Sequence, residues 1–382
     1  MTAKRLENIK EYYFSQKLRE IEQLNKQGKN IINLGIGSPD LPPHPDVVKV
    51  LFEEGQKPDV HGYQSYKGSP VLRKAIADWY QKWYGVVLDF NTEVLPLMGS
   101  KEGIMHICMT YLNEGDQVLV PNPGYPTYAS NVSLTGATMV AYNLTAAGNW
   151  YPDFASIEQQ DLSKVKLMFV NYPQMPTGQA GSEDLFRQIV AFAQKHHILI
   201  IHDNPYSFIL NDKPLSIMSI SGAKEVVIEL NSLSKSHNMA GWRVGMLIAK
   251  EERINEILRF KSTMDSGMFL PLQLAAAKAL SLGADWHESV NKVYRARRKK
   301  VYELLDILDC SYSKDQIGMF MWAKIPALYK NGYALADDIL YNAGVFITPG
   351  SIFGSEGDGY IRISLCGSIE RFDEAIKRIK NR

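Results

Sequence analysis

Cysteine is scarce in this chain: 382 residues hold three, Cys108, Cys310 and Cys366, widely spaced and odd in number. That excludes a disulfide-stapled scaffold and fits a reducing compartment. No apolar run approaches the ~20 residues of a membrane span, and the charged, amphipathic first residues lack the apolar core of a secretory signal, so a cytoplasmic protein with no membrane partner is expected. Charge of one sign is not in excess either. Lys and Arg number 42 against 41 Asp and Glu, a net charge of +1, which gives no general field for nucleic acid. The one basic run, Arg295-Ala296-Arg297-Arg298-Lys299-Lys300, lies between Val293, Tyr294, Val301 and Tyr302 at helical spacing and reads as a solvated helix face. Repeats, low-complexity segments and a Walker-type lysine loop are missing, and His196, His197 and His202 have no Cys or Glu partners at zinc spacing. No metal or nucleotide is expected.

What is present is an ordinary globular composition, 45% apolar, on a chain longer than one hydrophobic core usually organises, so two lobes are expected. From about residue 70 to 260, apolar runs alternate with helical periodicity. Residues 116–121, 165–170, 197–201 and 226–229 are the predicted strands. This pattern predicts the α/β class, with a mostly parallel sheet covered by helices. The stretch 350–359 carries four glycines and predicts a loop that moves when a ligand enters.

Chemistry concentrates in Asn231-Ser232-Leu233-Ser234-Lys235-Ser236-His237-Asn238-Met239-Ala240-Gly241-Trp242-Arg243. A lysine among small hydroxyl residues can form a Schiff base with an aldehyde when its amine is neutral part of the time. Pyridoxal phosphate is the aldehyde held this way, and it brings a phosphate and a ring nitrogen that works best protonated. Candidate partners for both exist. The apolar run Ile198 to His202 ends in Asp203-Asn204-Pro205-Tyr206, placing a carboxylate for a pyridinium and a phenol for the ring oxygen at a strand's carboxyl end. Met98-Gly99-Ser100-Lys101-Glu102-Gly103 breaks an apolar run; Ser100 can cap, and a helix from Gly103 would aim free amides at an anion. Arg243, Ser232 and Ser234 add a forked cation and hydroxyls. Taken singly, Lys235 is more readily a solvated lysine, Asp203 as readily a turn residue, Tyr125 more readily a core aromatic and Arg362 more readily a strand-edge charge.

Taken together these motifs resemble class I/II aminotransferases, pyridoxal-phosphate enzymes of fold type I. The resemblance runs through Asn33-Leu34-Gly35-Ile36-Gly37-Ser38-Pro39-Asp40, Tyr63 with Gly68, Gly99-Ser100-Lys101, Pro121-Asn122-Pro123-Gly124-Tyr125, Asn171-Tyr172-Pro173-Gln174-Met175-Pro176-Thr177-Gly178, Asp203 to Tyr206, Ser232 to Arg243 and Tyr360-Ile361-Arg362-Ile363-Ser364. It implies that Lys235 anchors the cofactor and carries the proton, Asp203 holds the pyridine nitrogen, Tyr206 the phenolic oxygen, and Tyr125 the ring face. Arg243, Ser232, Ser234 and Gly99 to Lys101 would take the phosphate, with Tyr63 reaching from a neighbouring subunit of a homodimer. Asn171 and Met175 would complete the cofactor pocket; Arg362, with the Gly37 backbone, would bind the substrate α-carboxylate.

Relatives carry asparagine where this chain has Met175, and a thioether cannot donate, so either Tyr206 bonds the ring oxygen alone or Gln174 reaches across. The resemblance implies a large cofactor lobe, 45–270, and a smaller α+β lobe from both ends, 1–44 and 271–382. It also implies amino-group transfer between an α-amino acid and an α-keto acid. A carbon–sulfur lyase, an oxoamine synthase and a non-enzymatic ligand sensor are alternatives on the same scaffold. Tyr12 to Arg19 and the Gly99 to Gly103 turn are similar to those of diaminopimelate and broad-specificity alanine or aspartate aminotransferases, without fixing the donor.

Overall fold

A computed structural model describes residues 2–7, 9, 11 and 13–382; Tyr12 lies outside them. Its strands are β1 (Ile32–Asn33), β2 (Val94–Leu97), β3 (Gln117–Asn122), β4 (Thr138–Asn143), β5 (Val165–Val170), β6 (Leu199–Asp203), β7 (Val227–Ser232), β8 (Gly245–Ile248), β9 (Phe320–Lys324), β10 (Val345–Phe346), β11 (Thr348–Pro349) and β12 (Tyr360–Ser364). Seven form one sheet in the order β2-β8-β7-β6-β5-β3-β4, in which β8 alone runs against its neighbours. All four predicted strands occur, shifted by at most two or three residues at their ends. The edge strand β4 and the reversed β8 were not foreseen. β4 is largely exposed, so it lacks the apolar run that marks a buried strand, and β8 is a four-residue element whose place is set by pairing with β2 and β7.

Both faces of this sheet are covered, which is why its central strands read as continuous apolar runs rather than alternating ones. Along β5, Val165, Met168 and Val170 enter the core on one side, with Leu185, Phe186 and Ile189 of the helix Glu183–His196. Leu167 and Phe169 enter the other, with Ile104 and Ile107 of the helix Ser100–Tyr111. A separate core lies under the antiparallel sheet β11-β12-β9, built from Phe14, Ile32 and Leu34 together with residues 290–379. β1 pairs in parallel with β10, so the two ends of the chain meet in this second unit. The helix Leu270–Leu280 nevertheless buries Ala275, Ala276 and Ala279 in the core of the large sheet.

Two local expectations change. The helix after β2 begins at Ser100, not Gly103; Gly99 is its N-cap at φ 91°, and no side chain caps it. The basic run lies on the helix Ala284–Ile307, but Arg297 is not a solvated charge. It is 4% exposed and forms two 2.7 Å bonds to the carboxylate of Asp40, tying the long helix to the segment that follows Gly37. No helix among the described residues is long and apolar enough to cross a membrane.

Candidate active site

The parallel strands β5, β6 and β7 end on the same side of the sheet, where an open α/β fold presents its ligands. Asn171 follows β5, Asp203 closes β6, Ser232 closes β7, and the next turn, Leu233–Ser236, carries Lys235. They border a cavity of about 600 Å³, lined also by Gly37, Ser100, Lys101, Tyr125, Met175, Tyr206, Ser234, Arg243 and Arg362. Residues up to 325 positions apart in the sequence thus converge on one space. Gly99 stands directly behind Arg243. Tyr63 is the exception: it is 93% exposed and takes no part in this chain's cavity.

Asp203 is buried, and burial pushes its carboxyl up to about 6, against a partly offsetting hydrogen bond from Tyr128. The Tyr128 hydroxyl donates to Oδ2 at 2.8 Å, while Oδ1 is buried with no hydrogen-bond partner. A buried acceptor left open toward a cavity is costly unless a donor occupies it. A protonated pyridine N–H meets that need. Tyr128 was missed in the sequence, although it sits three residues after Tyr125 and so on the same side of the helix Pro126–Leu134; its ring stacks on Phe169 at 4.6 Å.

Lys235 sits on a turn fixed by Ser232, whose hydroxyl accepts from the Ser234 amide at 3.1 Å. Trp286 donates to the carbonyl of Ser236 on the same turn. Desolvation lowers the lysine to about 8, with Arg362 and Arg243 acting in the same direction, so a substantial share of the amine is neutral near physiological pH. Its Nζ donates to the Gly37 carbonyl at 2.7 Å. Position 37 must be glycine, because a Cβ there would lie 2.1 Å from the ring of Phe320.

The anion end is built from the first turn of the helix Ser100–Tyr111 and from Arg243. A Cβ on Gly99 would lie 2.0 Å from Arg243 Nη2, so the glycine lets the guanidinium close against the helix start. Lys101 is lowered by burial and by Arg243. Gathering cations at a helix N-terminus suits a phosphate dianion. Arg243 is exposed in the single chain.

At the opposite end Arg362 is held among three aromatic rings. Its guanidinium lies 3.9 Å from the centre of Phe320, 4.6 Å from Phe353 and 5.6 Å from Phe14. One Nη donates to the Gly35 carbonyl at 2.8 Å and the other to Met175 Sδ at 3.3 Å. No sequence spacing announces Phe320 and Phe353. The glycine-rich stretch 350–359 forms two short 3₁₀ turns, and the first supplies Phe353. Its glycines permit close approach: a Cβ on Gly350 or Gly357 would meet the other's backbone at 2.3 and 2.2 Å.

Gln174 does not reach the ring position. Its Nε2 donates to the Pro123 carbonyl at 2.9 Å, and its Oε1 accepts from the amide and hydroxyl of Thr177, so it braces the loop behind the cavity. Asn171 is likewise committed to backbone, donating to Asp203 O and accepting from Met175 N. Behind Asp203, His202 bonds Glu229 at 2.8 Å, and Tyr80 and Ser216 donate to the same carboxylate. This buried network stiffens the β6–β7 pair that presents Asp203 and Lys235.

The sequence profile of the family described as aminotransferase class I and II matches residues 29–379. The chain belongs to that family. An LL-diaminopimelate aminotransferase of Dehalococcoides mccartyi is 40% identical over 99% of this chain and 98% of its own length; one from Aquifex aeolicus is 38% identical over 99% and 98%. Among solved structures, substrate-bound BacF from Bacillus subtilis superposes with a TM-score of 0.95 at 36% identity, covering 100% of this chain and 97% of that one. An aminotransferase from Staphylococcus aureus gives 0.90 at 30%, covering 100% and 98%. The aminotransferase has the fold-type-I architecture of these relatives, and the family and fold imply pyridoxal phosphate as cofactor. Its reaction moves an amino group between an α-amino acid and an α-keto acid in two alternating half-reactions.

Proposed function

We propose that this aminotransferase holds pyridoxal phosphate between Asp203 and Lys235 and uses Lys235 as the proton carrier of both half-reactions. The open, buried Oδ1 of Asp203, facing the cavity that Lys235 enters, carries this reading. When bound, the cofactor supplies an aldehyde for the substrate amine and a cationic ring that draws electrons from the substrate α-carbon. The residues of the chain do the rest. Asp203 is held ionised by pairing with the ring N–H, against the burial that raises its carboxyl to about 6. Tyr206 faces the ring oxygen with no amide beside it, since Met175 has no donor. Tyr125 covers a ring face. Ser100, Lys101, Ser232, Ser234 and Arg243 neutralise the phosphate. Arg362 would take the α-carboxylate as a bidentate pair, and Lys235, lowered to about 8, would accept the α-proton and deliver it to the second carbon across the nitrogen.

We further propose a homodimer in which Tyr63 completes the partner's phosphate site. Tyr63 is 93% exposed, and Phe52, Met264 and Phe269 are exposed as well, as apolar residues that a two-fold contact would cover. Three buried, unpaired cysteines support a cytoplasmic location. The lobe division 45–270 is better drawn at Gly283, because the helix Leu270–Leu280 packs with the large sheet and the next helix with the small one.

LL-diaminopimelate is the donor suggested by the relatives at 40% identity. A donor with an apolar side chain is the second reading, because Asp203 is the single carboxylate lining the cavity among the described residues, so a distal ammonium finds no acid among them. An absorbance screen of single amino acids against the cofactor-loaded enzyme tests both. A transaminase converts its cofactor to the amine form with the preferred donor and recovers when a keto acid is added. Release of ammonia with no amine form would show a lyase instead, and inertness toward every donor would favour a ligand sensor.

A further inference from the structure

We propose that Glu102, His106 and Asp265 form a binding site for a divalent metal of the zinc type, beside the helix start that faces the phosphate end of the cavity. His106 is 1% exposed, yet neither ring nitrogen has a hydrogen-bond partner. An imidazole always carries at least one N–H and one further polar nitrogen unless metal-bound, so a ring buried this way lacks something to bind. What faces it is a donor set. Glu102 lies one helical turn earlier, with Oε1 3.2 Å from His106 Nε2 but off the line of a ring N–H bond. Asp265 arrives from beyond the helix Glu251–Lys261, and the donor atoms of all three residues fall within 4.8 Å of one another.

The spacing suits zinc. Ligands at ~2.0–2.1 Å from a tetrahedral ion stand about 3.3 Å apart, close to the Glu102 to His106 separation. An imidazole with two carboxylates favours zinc over magnesium or calcium, which take oxygen alone. The carboxylates are already oriented from behind: Met98 N donates to Glu102 Oε2 at 2.7 Å, and Gly267 N to Asp265 Oδ1 at 2.8 Å. Such outer contacts aim ligands at a metal. Buried Lys261 also faces the cluster, 2.8 Å from Asp265. Two carboxylates and an imidazole thus converge on one point with a single lysine beside them. The Glu102 side chain is 24% exposed against 1% for His106, which gives an entry route and room for a water as fourth ligand.

The site would join two parts of the enzyme. Glu102 follows Lys101 on the helix that faces the phosphate. Asp265 stands next to Gly267, whose Cβ would lie 2.5 Å from Gln64 O, and Lys261 donates to Tyr66 O at 3.2 Å. A metal here would therefore clamp the phosphate helix to the 64–67 loop that follows Tyr63.

The test uses the full-length, cofactor-loaded enzyme, stripped with a chelator, dialysed against zinc and then against buffer. Metal content by plasma mass spectrometry and the thermal midpoint are read for wild type, His106→Gln and Glu102→Gln. Wild type should retain about one zinc per chain and melt at a higher temperature with zinc, and each variant should lose at least tenfold of the retained zinc. Glu102→Gln keeps the metal question answerable if His106→Gln fails to fold. Equal zinc in wild type and Glu102→Gln, or none retained by wild type, would overturn the site and mark any bound ion as adventitious.

Discussion

Replacing Asp203 by asparagine in the cofactor-free enzyme isolates the electrostatic strain stored for the cofactor. Burial raises this carboxyl from 3.8 to about 6, roughly two units at 1.36 kcal/mol each, or roughly 3 kcal/mol. The folded state holds the proton more tightly than the unfolded chain. The stabilisation of the protonated form is therefore complete below about 3.8 and is lost as pH rises through about 6. Wild type accordingly weakens relative to Asp203→Asn by roughly 1.6 kcal/mol at pH 5 and roughly 3 kcal/mol at pH 7.5. For a chain of this length the latter corresponds to about 4 °C in melting temperature. Any fixed penalty from the new amide is the same at both pH values, so the growth of the gap is the diagnostic quantity. Thermal melts followed by the fluorescence of the six tryptophans between pH 5 and 7.5 provide the measurement. Adding pyridoxal phosphate should reverse the order at pH 7.5, because the carboxylate then has its cationic partner and the amide does not. A gap that stays flat with pH would refute the idea that desolvation of Asp203 is answered by the cofactor.

Two other perturbations probe the opposite ends of the cavity. Gly99→Ala places a methyl 2.0 Å from Arg243 Nη2 at φ 91°; cofactor affinity, measured by equilibrium dialysis, should fall at least tenfold (about 1.4 kcal/mol), and an unchanged affinity would contradict the cradle. Met175→Asn restores an amide donor beside Tyr206 and removes the thioether from Arg362. The pH midpoint of the visible spectrum of the loaded enzyme should move down, and an unmoved midpoint would mean that position 175 does not govern the ring oxygen.

Much of the site was legible because its chemistry is concentrated in short, local motifs. Lys235 among serines, Asp203 closing an apolar run and Ser100 after the break at Gly99 were each marked by neighbouring residues, and all three line the cavity. What escaped was set by packing across long separations. Phe320 and Phe353 sandwich Arg362 only because the small sheet and the 350–353 turn fold over it. Gln174 looked able to stand in for the missing amide, yet the loop turns it toward Pro123 and Thr177. Arg297 looked solvated by helical periodicity, which cannot reveal that Asp40 waits 257 positions earlier.

The linear chain by itself determined the alternation of strands and helices, the family to which it belongs and the candidate lysine, since these depend on apolar periodicity and on residue type at fixed local spacing. The tertiary structure alone decided the open oxygen of Asp203, the aromatic enclosure of Arg362 and the orphaned ring of His106. Burial and desolvation arise only when distant segments close on one another and exclude water, and no local pattern records which segments those will be.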